Sequence, residues 1–247
     1  MRGDMAGTNG EPKILFFDIE STGLNATFGT ILCIGYKFLS DPEVHVPTIL
    51  DGRKRASMLD DKRLVERFAK VYNHCDYSVG HYSSRFDLPM IRTKLLKWGL
   101  PPLPPKPHID TWWVARRELK LHSNRLAVLQ DFLGCTAAKT PLKPDDWIQA
   151  AHGSKDALEY IVEHCRQDVL VLEEVFVKLR PLAKEEPNRV LFVPDAADSC
   201  QSCGSGRLTK QGYRVAKSRR YQQYQCQDCG RWCRSNYADK LARAELV

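Results

Sequence analysis

Lys13-Ile-Leu-Phe-Phe-Asp18-Ile-Glu20-Ser-Thr-Gly23 is the stretch that decides how this chain is read. Ile14 to Ile19 is short, mostly apolar and unbroken by turn residues, as expected of a strand central in its sheet. Side chains alternate along a strand, so Asp18 and Glu20 share one face while Phe17 and Ile19 take the other. Carboxylates that close repel one another unless a cation offsets them, and hard oxygen donors select Mg²⁺ or Mn²⁺. For this pair taken alone, a solvated strand end is the alternative.

Two further acids are placed suggestively. Asp87 ends His81-Tyr-Ser-Ser-Arg-Phe-Asp87, following a short buried strand and opening a helix, where the dipole by itself favours an acid. Asp168 ends His164-Cys-Arg-Gln-Asp168 on a long helix, with His164 one turn earlier on the same face. A surface position on a charged helix is the alternative for His164.

The elements around these acids alternate in type. Thr30 to Phe38 reads as a second strand, with Gly35 allowing close approach or a bulge, and Val44 to Leu50 as a third, weakened by Pro47. A helix over Leu59 to Tyr72 has Leu64, Val65, Phe68 and Val71 on one face. Asp76 to Gly80 is then a strand, Leu88 to Trp98 a helix, and Pro101 to Pro107 an extended connection to a brief strand at His108 to Asp110. Helices follow over Thr111–Glu118, Arg125–Leu133 and Lys155–Leu179, with a loop over Thr140–Asp145. Trp112 and Trp113 are expected to pack helix on sheet, with base stacking as the alternative, and Phe86 to be core. The pattern predicts a mixed α/β layer fold over residues 13–183, after a disordered lead-in at 1–12 and before a linker at 184–198.

On these motifs the chain resembles the DEDD superfamily of 3′-to-5′ exonucleases, the proofreading branch of the ribonuclease H-like fold. Phe17-Asp18-Ile-Glu20-Ser-Thr-Gly23, Gly80-His81-Tyr-Ser-Ser-Arg-Phe-Asp87 and Tyr160-Ile-Val-Glu-His164-Cys-Arg-Gln-Asp168 match its three motifs in order. The resemblance covers about Lys13 to Leu179 and implies a mixed five-stranded sheet with flanking helices. It also implies that Asp18, Glu20, Asp87 and Asp168 hold two Mg²⁺ or Mn²⁺ ions, and that nucleoside 5′-monophosphates leave from a 3′ end. The tyrosine-type subgroup has Tyr four residues before the last Asp and the histidine-type has His five before. Here His164 stands at the tyrosine spacing, so it either accepts the proton of the attacking water or orients that water. His81 stands where members often have Asn. Thr22, Gly23 and Leu24 match the segment that contacts the terminal nucleotide. Asn124, in the polar turn Lys120–Arg125, is a candidate phosphate contact beside a solvated turn as the alternative.

The rest of the chain carries a different chemistry. Cys200-x2-Cys203-Gly and Cys226-x2-Cys229-Gly are two knuckles, each presenting two thiolates to one ion, with a glycine to relieve the turn. Four sulfurs suit tetrahedral Zn²⁺, and a module this small needs its metal to fold. Between the knuckles, Tyr213, Arg214, Arg219, Arg220, Tyr221 and Tyr224 alternate basic and aromatic character. The segment 199–247 resembles the zinc ribbon of transposases and other DNA-associated proteins. By that resemblance Arg219, Arg220 and Tyr221 would contact nucleic acid, a protein contact being the alternative.

Charge distribution agrees with that division. Of 37 Lys and Arg and 30 acids, ten and three lie from Cys200 onward, so the tail carries the whole net charge of +7 and the first 199 residues balance at 27 each. A basic patch confined to the tail points to a polyanionic partner. Nine cysteines, four scattered singly and four in knuckles, suit a reducing compartment with one metal site, not a disulfide framework. No apolar run is long enough for a membrane span, and the start has no signal-peptide pattern. The combined expectation is a cytoplasmic exonuclease of bacterial or viral origin. DNA with single-stranded ends is its favoured substrate, RNA trimming or an inactive nucleic-acid-binding module the alternatives. A polymerase or other replication and repair proteins would act with it in trans.

Overall fold

The computed structural model describes residues 11–51, 59–137, 143–192 and 198–243, without the side chains of 144 and 240–243. Parts of the expected lead-in (1–10), loop (140–142), linker (193–197) and tail (244–247) lie outside the described residues. The chain divides into two compact units, Lys13–Leu179 and a second running from Arg180 onward together with residues 11 and 12. Among the described residues no helix is long and apolar enough to cross a membrane.

The first unit runs β1 (Ile14–Ser21), β2 (Ile31–Phe38), α1 (Lys62–Asn73), β3 (Tyr77–Gly80), α2 (Asp87–Lys97), β4 (His108–Asp110), α3 (Thr111–Glu118), α4 (Leu126–Leu133), α5 (Pro144–Ala151) and α6 (Lys155–Leu179). The sheet order is β2-β1-β3-β4, with β1 antiparallel to β2 and the other pairs parallel. The expected third strand, which would have made the sheet five-stranded, is not one. Val44 to Leu50 forms only the isolated bridges Tyr36–His45 and Cys33–Thr48. Pro47 accepts from Ile34 N–H but has no N–H to return, so the ladder is interrupted there. The result is a four-stranded mixed sheet with a bridged edge.

The expected loop over 140–145 is corrected at its end, because Pro144 opens α5. Proline at the first helical position with Asp145 and Asp146 in the first turn is a helix-start pattern. Elsewhere the expected helices and strands agree to within a few residues.

Alternation on β1 assigns its two faces. The Phe17 ring lies 5.2 Å from that of Phe68 on α1, and the Phe16 ring 5.5 Å from that of Phe176 on α6. Asp18 and Glu20 therefore lie on the α6 side, two and four residues from Phe16.

A fully buried ion pair braces the turn after β1. Lys94 of α2 donates from Nζ to Gly29 O at 2.5 Å and pairs with Asp61 Oδ2 at 3.1 Å. Asp61 also accepts from Ile31 N–H at 3.1 Å and from Trp98 Nε1 at 2.6 Å. Replacing Lys94 with Met would leave the Asp61 carboxylate buried without its cation. We expect a loss of about 3–5 kcal/mol, read as a lowered urea midpoint, with part recovered when Asp61→Leu is added.

In the second unit β5 (Leu208–Val215), β6 (Arg219–Cys226) and β7 (Trp232–Arg243) form an antiparallel sheet in the order β5-β6-β7. The start of the expected linker belongs to this unit. Glu186 is buried and accepts from Arg180 Nε at 2.5 Å, Ser202 Oγ at 2.8 Å and Arg231 Nη1 at 3.2 Å. Arg231 also donates to Arg180 O and Ala183 O, both at 2.9 Å.

Candidate active site

β3 pairs with β1 only as far as Phe16–Val79, which leaves the Ile19 N–H beyond the ladder. Asp87, first residue of α2, accepts that N–H through Oδ1 at 3.1 Å. One hydrogen bond thus fixes a carboxylate 68 positions away against the strand that bears Asp18 and Glu20.

Helix α6 supplies the other side. Gly35 of β2 is paired opposite Asp18, and a Cβ on it would lie 2.8 Å from Cys165 Sγ and 3.2 Å from Cys165 O. Only a residue without a side chain admits α6 this closely, and Cys165 Sγ comes within 3.7 Å of Asp18 Oδ2. Gly35→Ala is expected to push α6 outward, cost about 1–3 kcal/mol in denaturant unfolding and reduce any activity of the site.

One residue before and three after Cys165, α6 carries His164 and Asp168. His164 Nε2 is buried 3.5 Å from Asp168 Oδ2 and 3.9 Å from Glu20 Oε1, so its ring lies between acids from two elements. Glu20 is held further by Trp147 of α5, whose Nε1 donates to Oε2 at 3.1 Å. Trp147 is a site residue that the sequence reading missed along with its helix.

The electrostatics follow from this crowding. Burial first, then the charges of Asp87, Glu20 and Asp168, push the Asp18 carboxyl well above the usual carboxylate range. Burial raises Asp87 to about 7 against the pull of its own N–H and that of Ile19. An acid raised by three others is offset best by a divalent cation, and carboxylate oxygens are the hard donors that suit Mg²⁺ or Mn²⁺.

The loop before Asp87 is tightly organised. His108 joins Ser78 and Ser83 through its two ring nitrogens, both at 2.8 Å, and burial lowers its pKa to about 4, leaving it neutral. Asp110 accepts from Tyr82 N–H at 2.8 Å, Ser84 N–H at 3.0 Å and Trp112 N–H at 3.0 Å. Phe86 packs against the core, as expected, whereas Trp113 stands out at the surface.

A family model described as the RNase_H superfamily matches residues 15–180. The chain belongs to the RNase H superfamily. No curated protein matches it. Among solved structures it is similar to the family B DNA polymerase from the hyperthermophilic archaeon Pyrobaculum calidifontis, with a TM-score of 0.54 and 15% identity. That likeness covers 84% of this chain and 31% of the polymerase chain, and it shows the fold alone.

The candidate substrate residues of this RNase H superfamily chain are distributed unevenly. Thr22 Oγ1 accepts from Thr30 N–H at 3.0 Å and closes the turn, Gly23 O accepts from Ser21 Oγ at 2.9 Å, and Leu24 is 88% exposed. Asn124 is half-buried before α4, and among the described residues its Oδ1 has no hydrogen-bond partner. On β6, Arg219 is exposed, but Arg220 is committed to Asp239 at 2.9 Å and lies 4.3 Å over Tyr213. Tyr221 lies 4.2 Å beneath Arg234.

The second unit of this superfamily member holds a separate cysteine site. Cys200, Cys203, Cys226 and Cys229 have sulfurs all within 4.8 Å of one another, the single such group of potential metal ligands among the described residues. Sγ separations of 3.6 Å for Cys200–Cys229 and Cys203–Cys226 are close to the roughly 3.8 Å edge of a tetrahedron with 2.3 Å Zn–S bonds. The knuckles share one backbone pattern. Cys200 and Cys226 donate to Ser205 O and Arg231 O, and they accept from Gly204 and Gly230, whose φ values of 77° and 75° need glycine. The set could coordinate a structural metal such as zinc. Cys203→Ser is expected to abolish stoichiometric zinc in elemental analysis and hydrogen-exchange protection in β5–β7, with protection in Lys13–Leu179 retained.

Proposed function

We propose that this chain is a divalent-metal-dependent 3′-to-5′ exonuclease acting on single-stranded ends. The observation that carries the proposal is that Asp87 from α2 and Asp168 from α6 both come to the strand that bears Asp18 and Glu20. Asp18, Glu20, Asp87 and Asp168 would hold the cations. When bound, these supply Lewis-acid activation of water and charge compensation at the phosphate and the departing 3′-oxygen. The protein's part is orientation. Trp147 and the Ile19 N–H hold Glu20 and Asp87 in place, and His164 accepts or directs the proton of a water attacking phosphorus. The bond broken is that between phosphorus and the 3′-oxygen, which releases a nucleoside 5′-monophosphate. The likeness to a DNA polymerase chain favours DNA, and the basic ribbon would tether it.

The test is incubation of 5′-labelled DNA and RNA oligomers with Mg²⁺, Mn²⁺ or EDTA. A ladder shortening from the 3′ end, lost in EDTA, is expected. A well-folded sample that leaves every oligomer whole with manganese overturns the proposal. His164→Ala and His164→Tyr separate the two roles of the imidazole. Rescue by Tyr assigns water orientation, and loss in both assigns proton acceptance.

A further inference from the structure

Tyr82 adopts φ 58°, a left-handed conformation that bulky residues rarely take. It is held there by the Asp110 carboxylate, which takes the Tyr82 N–H, the Ser84 N–H and hydroxyl, and the Trp112 N–H. One buried acid therefore fastens both the loop ahead of Asp87 and the start of α3. Three aromatic rings meet as a result. Tyr82 and Trp112 are edge to face at 5.3 Å, Trp112 and Trp113 at 4.7 Å, and the Arg85 guanidinium lies 5.2 Å over Trp113.

Ordinary core packing does not explain this arrangement, because Tyr82 remains 42% exposed and Trp113 39% exposed. Strained backbone is retained where surrounding contacts over-determine it, typically beside a functional site. Here the strain keeps an aromatic ring at the surface, not in the core. The loop is compact, with Phe86 N–H donating to Tyr82 O and Leu88 N–H to Ser83 O, so the residue bearing the Tyr82 ring is tied within about one turn of Asp87.

We propose that Tyr82, Trp113 and Arg85 form a stacking platform for a nucleobase of a single strand whose 3′ end lies among the carboxylates. The inference rests on the exonuclease reading above. Exposed ring faces accept any base, and the guanidinium adds cation–π and phosphate contact, so the platform is expected to tolerate all sequences.

The test is binding, with no hydrolysis needed. The intact chain in EDTA is titrated with a short oligothymidylate, following tryptophan fluorescence and the anisotropy of a labelled copy. Wild type is expected to bind with quenching. Trp113→Ala and Tyr82→Asn, the latter a residue that tolerates the left-handed conformation, should each weaken binding about ten-fold or more without lowering Tm. Trp113→Phe should keep the affinity and lose most of the quench. Unchanged affinity in both Trp113→Ala and Tyr82→Asn overturns the platform, as does an abasic oligomer binding as tightly as the thymidylate. If the wild type degrades DNA while those variants bind normally, the platform fails and the exonuclease reading stands. If the variants lose binding in a chain that cuts nothing, the platform stands and the exonuclease reading fails.

Discussion

Asp18→Asn is expected to abolish phosphodiester hydrolysis while making the metal-free protein more stable. Asp18 is raised well above the usual carboxylate range, through burial first and then through Asp87, Glu20 and Asp168. The amide is nearly isosteric and uncharged. It removes one hard donor from the proposed cation site and at the same time removes the repulsion. We expect at least about a 10³-fold fall in turnover, equivalent to roughly 4 kcal/mol of barrier. Thermal unfolding in EDTA at pH 8 should move to a higher temperature. Opposite signs in the two measurements are the mark of a strained functional acid. A structural acid would lose stability, and an unused one would leave hydrolysis intact.

The second large effect is a pH dependence that inverts the usual carboxylate behaviour. Asp87 titrates near 7 in the folded chain and near 3.8 when unfolded, and Asp18 is displaced in the same direction. Between those values the folded state binds more protons than the unfolded state, so stability falls as pH rises. The contribution is complete below about pH 4 and is lost as pH passes 7. Metal-free protein should therefore unfold at lower denaturant at pH 8 than at pH 5. Mg²⁺ or Mn²⁺ should restore stability at pH 8 and do little at pH 5, by about 2.7 kcal/mol at a hundred times the dissociation constant. A flat profile from pH 5 to 8, with no response to either cation, would remove the carboxylates from the proposed site.

Much of this protein is legible one segment at a time. The apolar run with Asp18 and Glu20, the long helix with His164 and Asp168, and the two cysteine knuckles each declare themselves through spacing of a few residues. Backbone periodicity and turn chemistry act over that range. The misreadings are instructive. Val44–Leu50 has strand composition, yet whether a ladder closes depends on where Pro47 falls against β2. In Lys143-Pro-Asp-Asp146 the proline reads as loop, although Pro144 occupies the first helical position.

What the chain alone determined, then, is which side chains share a strand or helix face and which thiols can share an ion. Tertiary structure alone decided that Trp147 would reach Glu20 across 127 positions and that Lys94 would be buried on Gly29 O across 65. It also decided that Cys165 would press against Asp18 across 147, and that Trp113 would be left at the surface. The physical reason is that a residue's burial and field are set by whatever packs against it. In this sheet those neighbours arrive from helices that nothing in the local sequence can place.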